Sequence, residues 1–284
     1  FKTSGSVMSE YVIRSVPKLL FGMSRTKTCG KMNEIKIVVA KKELIYQAPE
    51  AFDEMTREQF ILTAEKIIHI AAGIDNDNYY PTMTGMEKKI WDKLHFFQRY
   101  SIKRLFDFIT LVSPPISKQL LPYIETGKQQ FIGYQPSFSN TTWQEFIFAD
   151  QYVMSGKYRE AAACLYRPQR QDYTGETDRR IPFTIYGTNS RMSFFNNIPE
   201  AELFAFILNY KSLRKRNIEE KYPFIFSPKA QSTSQNNSTF SWVAIHRDLM
   251  GDHFYDETKF YELNVHVILN RLNTVIKDNR KRPN

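Results

Sequence analysis

Apolar residues along the chain fall mostly at helical spacing, broken by polar, proline-bearing and glycine-bearing segments, with one alternating stretch near the start. The order Ile35, Lys36, Ile37, Val38, Val39 and then Leu44, Ile45, Tyr46 reads as two short strands around Lys41 and Lys42, because β-branched residues dominate and polar residues interleave. A small hairpin is expected there. Helical spacing follows. Thr56 and Gln59 have the form of a capping box, and Phe60, Ala64, Ile67, Ile68 and Ala71 continue the stripe to a stop at Gly73. Met86, Ile90, Leu94 and Phe97 share one helical face, and Ile102, Leu105, Phe106 and Ile109 form another that Pro114 and Pro115 end. Ile116 to Ile124 is expected as a short helix broken at Pro122, and Gly127, Gly133 and Pro136 as an extended connection.

The stretch from Asn140 to Pro168 is the most strongly punctuated. Thr142 and Glu145 are spaced as a second capping box, in which the hydroxyl accepts from the Glu145 amide and the carboxylate reaches back to the Thr142 amide. Phe146, Ala149 and Val153 supply the stripe behind it, and two short helices are expected to meet at Gly156. After Pro168 the character changes. Residues 169–197 carry Asp172, Gly175, Asp178, Arg179, Arg180, Pro182 and Gly187 with little periodicity, so a polar insertion is expected, either a functional loop or a mobile arm. Pro199 then sits where a helix starts, and Leu203, Phe206, Ile207, Tyr210 and Leu213 trace its buried stripe. Tyr222 to Phe226 closes it as an apolar corner.

These elements predict a mainly α protein: a multi-helix globular domain with a small N-terminal β-hairpin and a C-terminal helical unit. The expected organisation is a basic extension at 1–31, outside a globular protein beginning near Met32. A helical domain follows at 32–226, then a Ser, Gln and Asn-rich linker at 227–239, a helical unit at 240–276 and a basic tail at 277–284.

Composition refines this picture. The 22 Phe and 16 Tyr are far more than a disordered chain carries. Cys29 and Cys164 have no CxxC spacing and are too few for a disulfide framework, which points to a reducing compartment and a buried thiol. No run approaches the roughly 18 apolar residues of a membrane span, so a soluble protein with no membrane partner is expected. The net charge of +9 suggests nucleic acid until it is located. Residues 1–31 hold six Lys and Arg against Glu10, a net +5, and residues 277–284 hold four against Asp278, a net +3. That leaves +1 for 32–276. The basicity therefore lies in the tails. There Arg280, Lys281 and Arg282 are candidates for a contact with DNA, RNA or an acidic partner, against the competing reading of solvated tails, with Lys211, Arg214 and Lys215 as a second basic face. A solvated face is the competing reading of that second group.

Candidate chemistry is sparse. His246, Asp248, Asp252, His253, Asp256 and Glu257 are the densest set of possible ligands, but their spacing matches no recognised metal motif, and such residues also cap and solvate helices. Cys164 lies among apolar helical residues with no His within twenty positions to activate it. Phosphate-cradling loops and the common hydrolase signatures are absent from the sequence. No enzyme and no cofactor is expected. Trp143, Tyr166 and Arg167 are of the types that anchor protein interfaces when exposed, and equally of the types that pack two helices together.

The start Met55 to Phe60, the start Thr142 to Ala149, Leu165 to Pro168, Asn209 with Tyr210, Tyr222 to Phe226, and the entry at Trp242 resemble a group of proteins from phages and prophages of Bacteroidetes. The resemblance covers roughly residues 32 to 273. It implies a structural or assembly role in tail or virion morphogenesis, with other phage proteins as partners, in the host cytoplasm during assembly or in the virion. It implies no catalytic residues. The alternatives are a nucleic-acid-associated protein using the basic tails and, last, a metal-dependent hydrolase built on the His246 to His253 set.

Overall fold

The alternation around Lys41 folds as expected. Strand β1 (Asn33–Val39) pairs antiparallel with β2 (Lys42–Ala48), with Ile35 opposite Tyr46 and Ile37 opposite Leu44, and both isoleucines are buried. The computed structural model describes residues 32–39, 42–74, 76–111, 114–127, 129–175, 178–226, 242–250 and 256–280. The secondary structure is mainly helical. The extension at 1–31, the linker at 227–239 and the end of the basic tail lie outside the described residues. The chain divides into two compact units between Pro114 and Pro115, a boundary inside the stretch 32–226 that was expected as one domain.

In the first unit, helix α1 (Arg57–Ala71) begins at the expected box: Gln59 N donates to Thr56 Oγ1 at 3.2 Å and Thr56 N to Gln59 Oε1 at 3.0 Å. Helix α2 (Tyr79–Thr84) ends at Gly85, whose φ of +69° suits a left-handed stop. Phe52, Phe60, Tyr79, Met83, Trp91, Ile102 and Phe106 fill the core, with Phe52 meeting Phe60 and Phe108 edge-on. The single stripe expected from Met86 to Phe97 does not form. Helix α3 (Lys88–Trp91) stops after one turn, and His95 caps a new helix, α4 (Phe96–Arg104), with Gln98 returning the bond to the His95 amide at 2.8 Å. That restart leaves Met86 and Leu94 buried but turns Phe97 outward.

In the second unit the short helix expected at Ile116 to Ile124 does not form, and a hairpin begins at its end and runs into the stretch expected as an extended connection. Strand β3 (Tyr123–Thr126) pairs with β4 (Gln129–Ile132), with Thr126 opposite Gln129 and Gly127, next in the chain, at a φ of +62°. Ile124, expected at the end of a helix, stands opposite Phe131 across the hairpin, and both are buried. Helices α5 (Trp143–Met154) and α6 (Tyr158–Leu165) meet around Gly156 as expected, with its φ at +72°. The segment 169–197 is not an unstructured arm. Gln169 bridges Arg180, and helix α7 (Ile185–Phe195) occupies its second half, capped by Thr184. Its buried positions include Thr188 and Arg191, so its inner face is partly polar and has no apolar stripe to read.

Helix α8 (Glu200–Arg214) starts after Pro199 and runs into a single π turn, Lys215–Glu219. The short α9 (Pro223–Phe226), α10 (Trp242–Met250), α11 (Glu257–Glu262) and α12 (Val265–Asn279) complete the unit. Helix α5 packs against α6, α10, α11 and α12, and α6 packs on α7 and α8. The C-terminal helices thus share a core with α5, and the unit expected at 240–276 is not separate from it. The backbone seals the joint: Trp143 N donates to Leu263 O at 2.7 Å and Val265 N to Thr141 O at 3.1 Å.

Candidate functional site

Helix α5 carries two buried carboxylates, and each gathers a separate part of the second unit. Asp150 lies at i+4 from Phe146 and i+7 from Trp143, in the middle of the apolar face. Its oxygens accept from Tyr210 Oη at 2.9 Å, Arg214 Nε at 2.5 Å, Arg214 Nη2 at 3.0 Å and Trp242 Nε1 at 2.6 Å. Four donors fill the lone-pair capacity of a carboxylate. One side chain thereby ties α5 to α8 and α10. Burial is the main force raising the Tyr210 hydroxyl well above its ordinary value, and the Asp150 charge adds to it. For Arg214, burial lowers its affinity for the proton, but Asp150 and Tyr210 outweigh that and hold it above the ordinary value.

Glu145 organises the other side. Its carboxylate accepts from Arg167 Nη2 at 3.0 Å and from Arg180 Nη1 and Nη2 at 2.8 and 3.3 Å. Asp178 completes the set, accepting from Arg167 Nη2 at 3.0 Å and from Arg180 Nε at 2.9 Å. Two guanidinium groups thus face two carboxylates, so the buried group is electrically balanced. Arg180 also donates to Leu165 O and Asn140 O, at 2.7 Å each. Burial pulls Arg167 down to about 10 despite Glu145. For Arg180 the same burial is outweighed by Glu145 and Asp178, and its value rises. Nearby, Arg191 on α7 caps the end of α6 by donating to Ala163 O through Nη2 at 2.9 Å.

These contacts correct two expectations from the sequence. The Thr142 cap is half of a capping box: its hydroxyl accepts from Glu145 N at 3.2 Å, while the Glu145 carboxylate turns inward to the arginines. Trp143, Tyr166 and Arg167 are not exposed anchors, because all three are buried. Trp143 Nε1 donates to His246 Nδ1 at 3.1 Å, and Tyr166 Oη donates to Leu121 O at 2.8 Å. They join elements within the fold.

The basic residues chosen from the sequence also separate. Arg214 is engaged by Asp150 and by Glu219, whereas Lys211 and Lys215 are exposed. Arg280 donates to Phe224 O at 3.3 Å and lies over the Phe224 ring, and Lys281 and Arg282 lie outside the described residues. Among the described residues no three His, Cys, Asp or Glu side chains converge as a metal site, and Asp252 and His253 lie outside them. His246 is instead a packed neutral ring. Indole N–H groups only donate, so the Trp143 bond places the imidazole proton on Nε2, facing Glu257 Oε1 at 3.4 Å. The ring stacks on Tyr261 at 4.1 Å, and burial holds its affinity for protons below the ordinary value. Burial likewise pushes the Cys164 thiol up to about 12, so it stays protonated.

Sequence reading missed Asp150, Asp178, Arg191 and Tyr210 as members of the buried network. Asp150 alone left a legible signal, a carboxylate centred in an apolar helical stripe. The donors around both carboxylates leave them without an open lone pair facing solvent, so the arrangement holds helices in register and offers no acid, base or ligand to a substrate. No helix among the described residues is long and apolar enough to cross a membrane. No protein-family model, curated protein or solved structure matches the chain.

Proposed function

We propose that the chain is a non-enzymatic binding protein that acts through protein–protein contacts, in a structural or assembly role of the kind implied by the phage and prophage resemblance. The observation that carries this reading is Tyr186, which is 84% exposed on the first turn of α7 beside the exposed Ile185. A large aromatic held in solvent on an anchored helix is what an interface anchor requires. Helix α7 is anchored: Thr184 caps it, Arg191 ties it to Ala163 O, and Phe195 packs 5.0 Å from Phe131. Two buried, multiply bonded carboxylates stiffen the scaffold behind it, which lowers the entropy lost on docking. Assembly in the host cytoplasm or incorporation into a virion belongs to the same reading.

Co-expression with the products of the genes flanking its own, followed by size-exclusion chromatography, tests this. A flanking product is expected to co-elute with the wild-type chain and to separate from a Tyr186→Ala variant of unchanged circular dichroism. Failure of every flanking product to co-elute would refute the reading.

A further inference from the structure

Charge in the first unit is segregated. Residues 88–104 carry six Lys and Arg against Asp92 alone, while the rest of 32–114 carries five against eleven Asp and Glu. The near-zero charge of the chain's body conceals this basic segment. It coincides with a cluster of exposed rings on α4: Phe96 is 66%, Phe97 68% and Tyr100 53% exposed. Phe96 and Tyr100 lie nearly parallel at 6.4 Å, and the exposed His95 ring stacks on Phe97 at 5.4 Å. Helical spacing interleaves cation and ring, because Arg104 lies one turn beyond Tyr100 on the same face, at i+4.

Lys88, Lys89, Lys93 and Arg104 are exposed, whereas Arg99 is half-buried and Lys103 is half-buried and engaged by Asp77 at 2.5 Å. Lys88, Lys89 and Arg104 pair with Asp92, Glu87 and Asp107 only through largely exposed side chains, and surface pairs of this kind are weak and exchange readily. Lys93 and Arg99 make no ion pair among the described residues. Exposed apolar rings need an apolar or π-faced cover, and the surrounding positive charge calls for an anionic one. A single-stranded nucleic acid supplies both, as unstacked bases on a phosphate backbone. A duplex keeps its base faces stacked and offers the rings nothing.

We propose that the exposed face of α4 is a binding site for single-stranded nucleic acid. Bases stack on Phe96, Phe97 and Tyr100, and phosphates meet the unpaired Lys93 and replace the carboxylates beside Lys88 and Arg104. The proposed site uses none of Arg280, Lys281, Arg282 and Tyr186.

Fluorescence anisotropy with the full chain tests it, using labelled oligothymidine, oligouridine and a DNA duplex of equal length at two salt concentrations. Binding to a single strand, weakening as salt rises, is expected. The oligothymidine and oligouridine arms show whether DNA or RNA is preferred. Phe97→Ala and Tyr100→Ala are each expected to weaken single-strand binding by about five- to a hundredfold, with circular dichroism unchanged because the rings are exposed. Arg104→Gln is expected to lower the salt dependence by about one phosphate contact. Substituting Arg280, Lys281 and Arg282 together by Ser should leave the ring dependence intact. The proposal fails if no single strand binds at low salt. It also fails if the duplex binds as well as the strand and the ring variants change nothing, since the attraction would then be to phosphate alone. Binding of an acidic amphipathic peptide at this face, with no oligonucleotide binding, would overturn it in favour of a protein partner.

Discussion

Trp242 Nε1 donates to Asp150 Oδ2 at 2.6 Å, joining residues 92 positions apart in the chain. Trp143 and Phe146 from α5 pack around the same indole, at ring centroid distances of 5.5 and 5.4 Å. Trp242, with His246 and Met250, thus carries α10 into the core of the second unit. It supplies both apolar area and a hydrogen bond to a charge.

The two ends of that bond are unequal. Trp242→Phe keeps most of the ring and removes one of four donors to Asp150, so the expected loss is about 1.5–3 kcal/mol, typical of a hydrogen bond to a charged group. Asp150→Ala leaves Tyr210, Arg214 and Trp242 without their common acceptor, with an expected loss of about 3–5 kcal/mol. Urea unfolding followed by circular dichroism measures both. A Trp242→Phe loss equal to or above that of Asp150→Ala would show that packing, and not the carboxylate, holds α10.

Glu145 and Arg167 allow a different test, because burying an ion pair is costly and removing only half of it is costlier. Glu145→Leu alone strips both arginines of a buried partner, and Arg167→Met alone leaves Glu145 to Arg180; each is expected to cost about 3–5 kcal/mol. The double variant leaves Asp178 facing Arg180 as a balanced pair. It is therefore expected to be more stable than either single variant in urea unfolding. Additive losses would mean that each side chain acts through packing alone.

How far this fold can be read from the sequence depends on which force shapes each segment. Where apolar area decides, at the first hairpin, α1, α5, α6 and α8, spacing and caps place the elements well. The same rules mislead at Ile116 to Ile124, because Ile124 is buried against Phe131 across a turn rather than along a helix. They are silent at α7, whose inner face holds Thr188 and Arg191 and is stabilised by bonds to a distant carbonyl. Trp143, Tyr166 and Arg167 are of residue types that serve interfaces and cores alike, and only three-dimensional contacts show that they face inward. The basic run at 88–104 was legible from the sequence, and whole-body charge averaging concealed it.

Two histidines give the fold a pH dependence of definite sign. Burial lowers His246 below its usual value of 6.5, against the opposing pull of Glu257. Burial also lowers His266, whose Nε2 faces Ser137 O at 2.6 Å and whose Nδ1 faces Tyr222 Oη at 2.8 Å, and Lys221 adds to that shift. Between the folded and unfolded values the unfolded chain binds more protons, so stability rises with pH. The contribution is complete above the unfolded value and is lost as pH falls through the folded values. Urea midpoints are expected to drop from about pH 7.5 to about pH 5, where imidazole titrates. His246→Gln, which keeps an acceptor for Trp143, is expected to flatten part of that slope. An unchanged slope would assign the dependence to other groups.

Gly133 supports the reading of Tyr166 as an internal joint. A Cβ at Gly133 would lie 2.8 Å from the Tyr166 ring, closer than such a contact tolerates, and a tight 3.2 Å from Leu121 O. The ring cannot step aside, because its hydroxyl is bonded to Leu121 O and Tyr134 and Phe206 meet it edge-on. Gly133→Ala is therefore expected to destabilise the second unit by about 1–3 kcal/mol, the usual cost of overpacking. Tyr166→Leu removes the obstructing edge, so the pair is expected to couple: Gly133→Ala should cost less in the Tyr166→Leu background than in the wild type. A double-mutant cycle by urea unfolding measures this coupling. Strict additivity would place the strain at the Leu121 carbonyl and not at the ring.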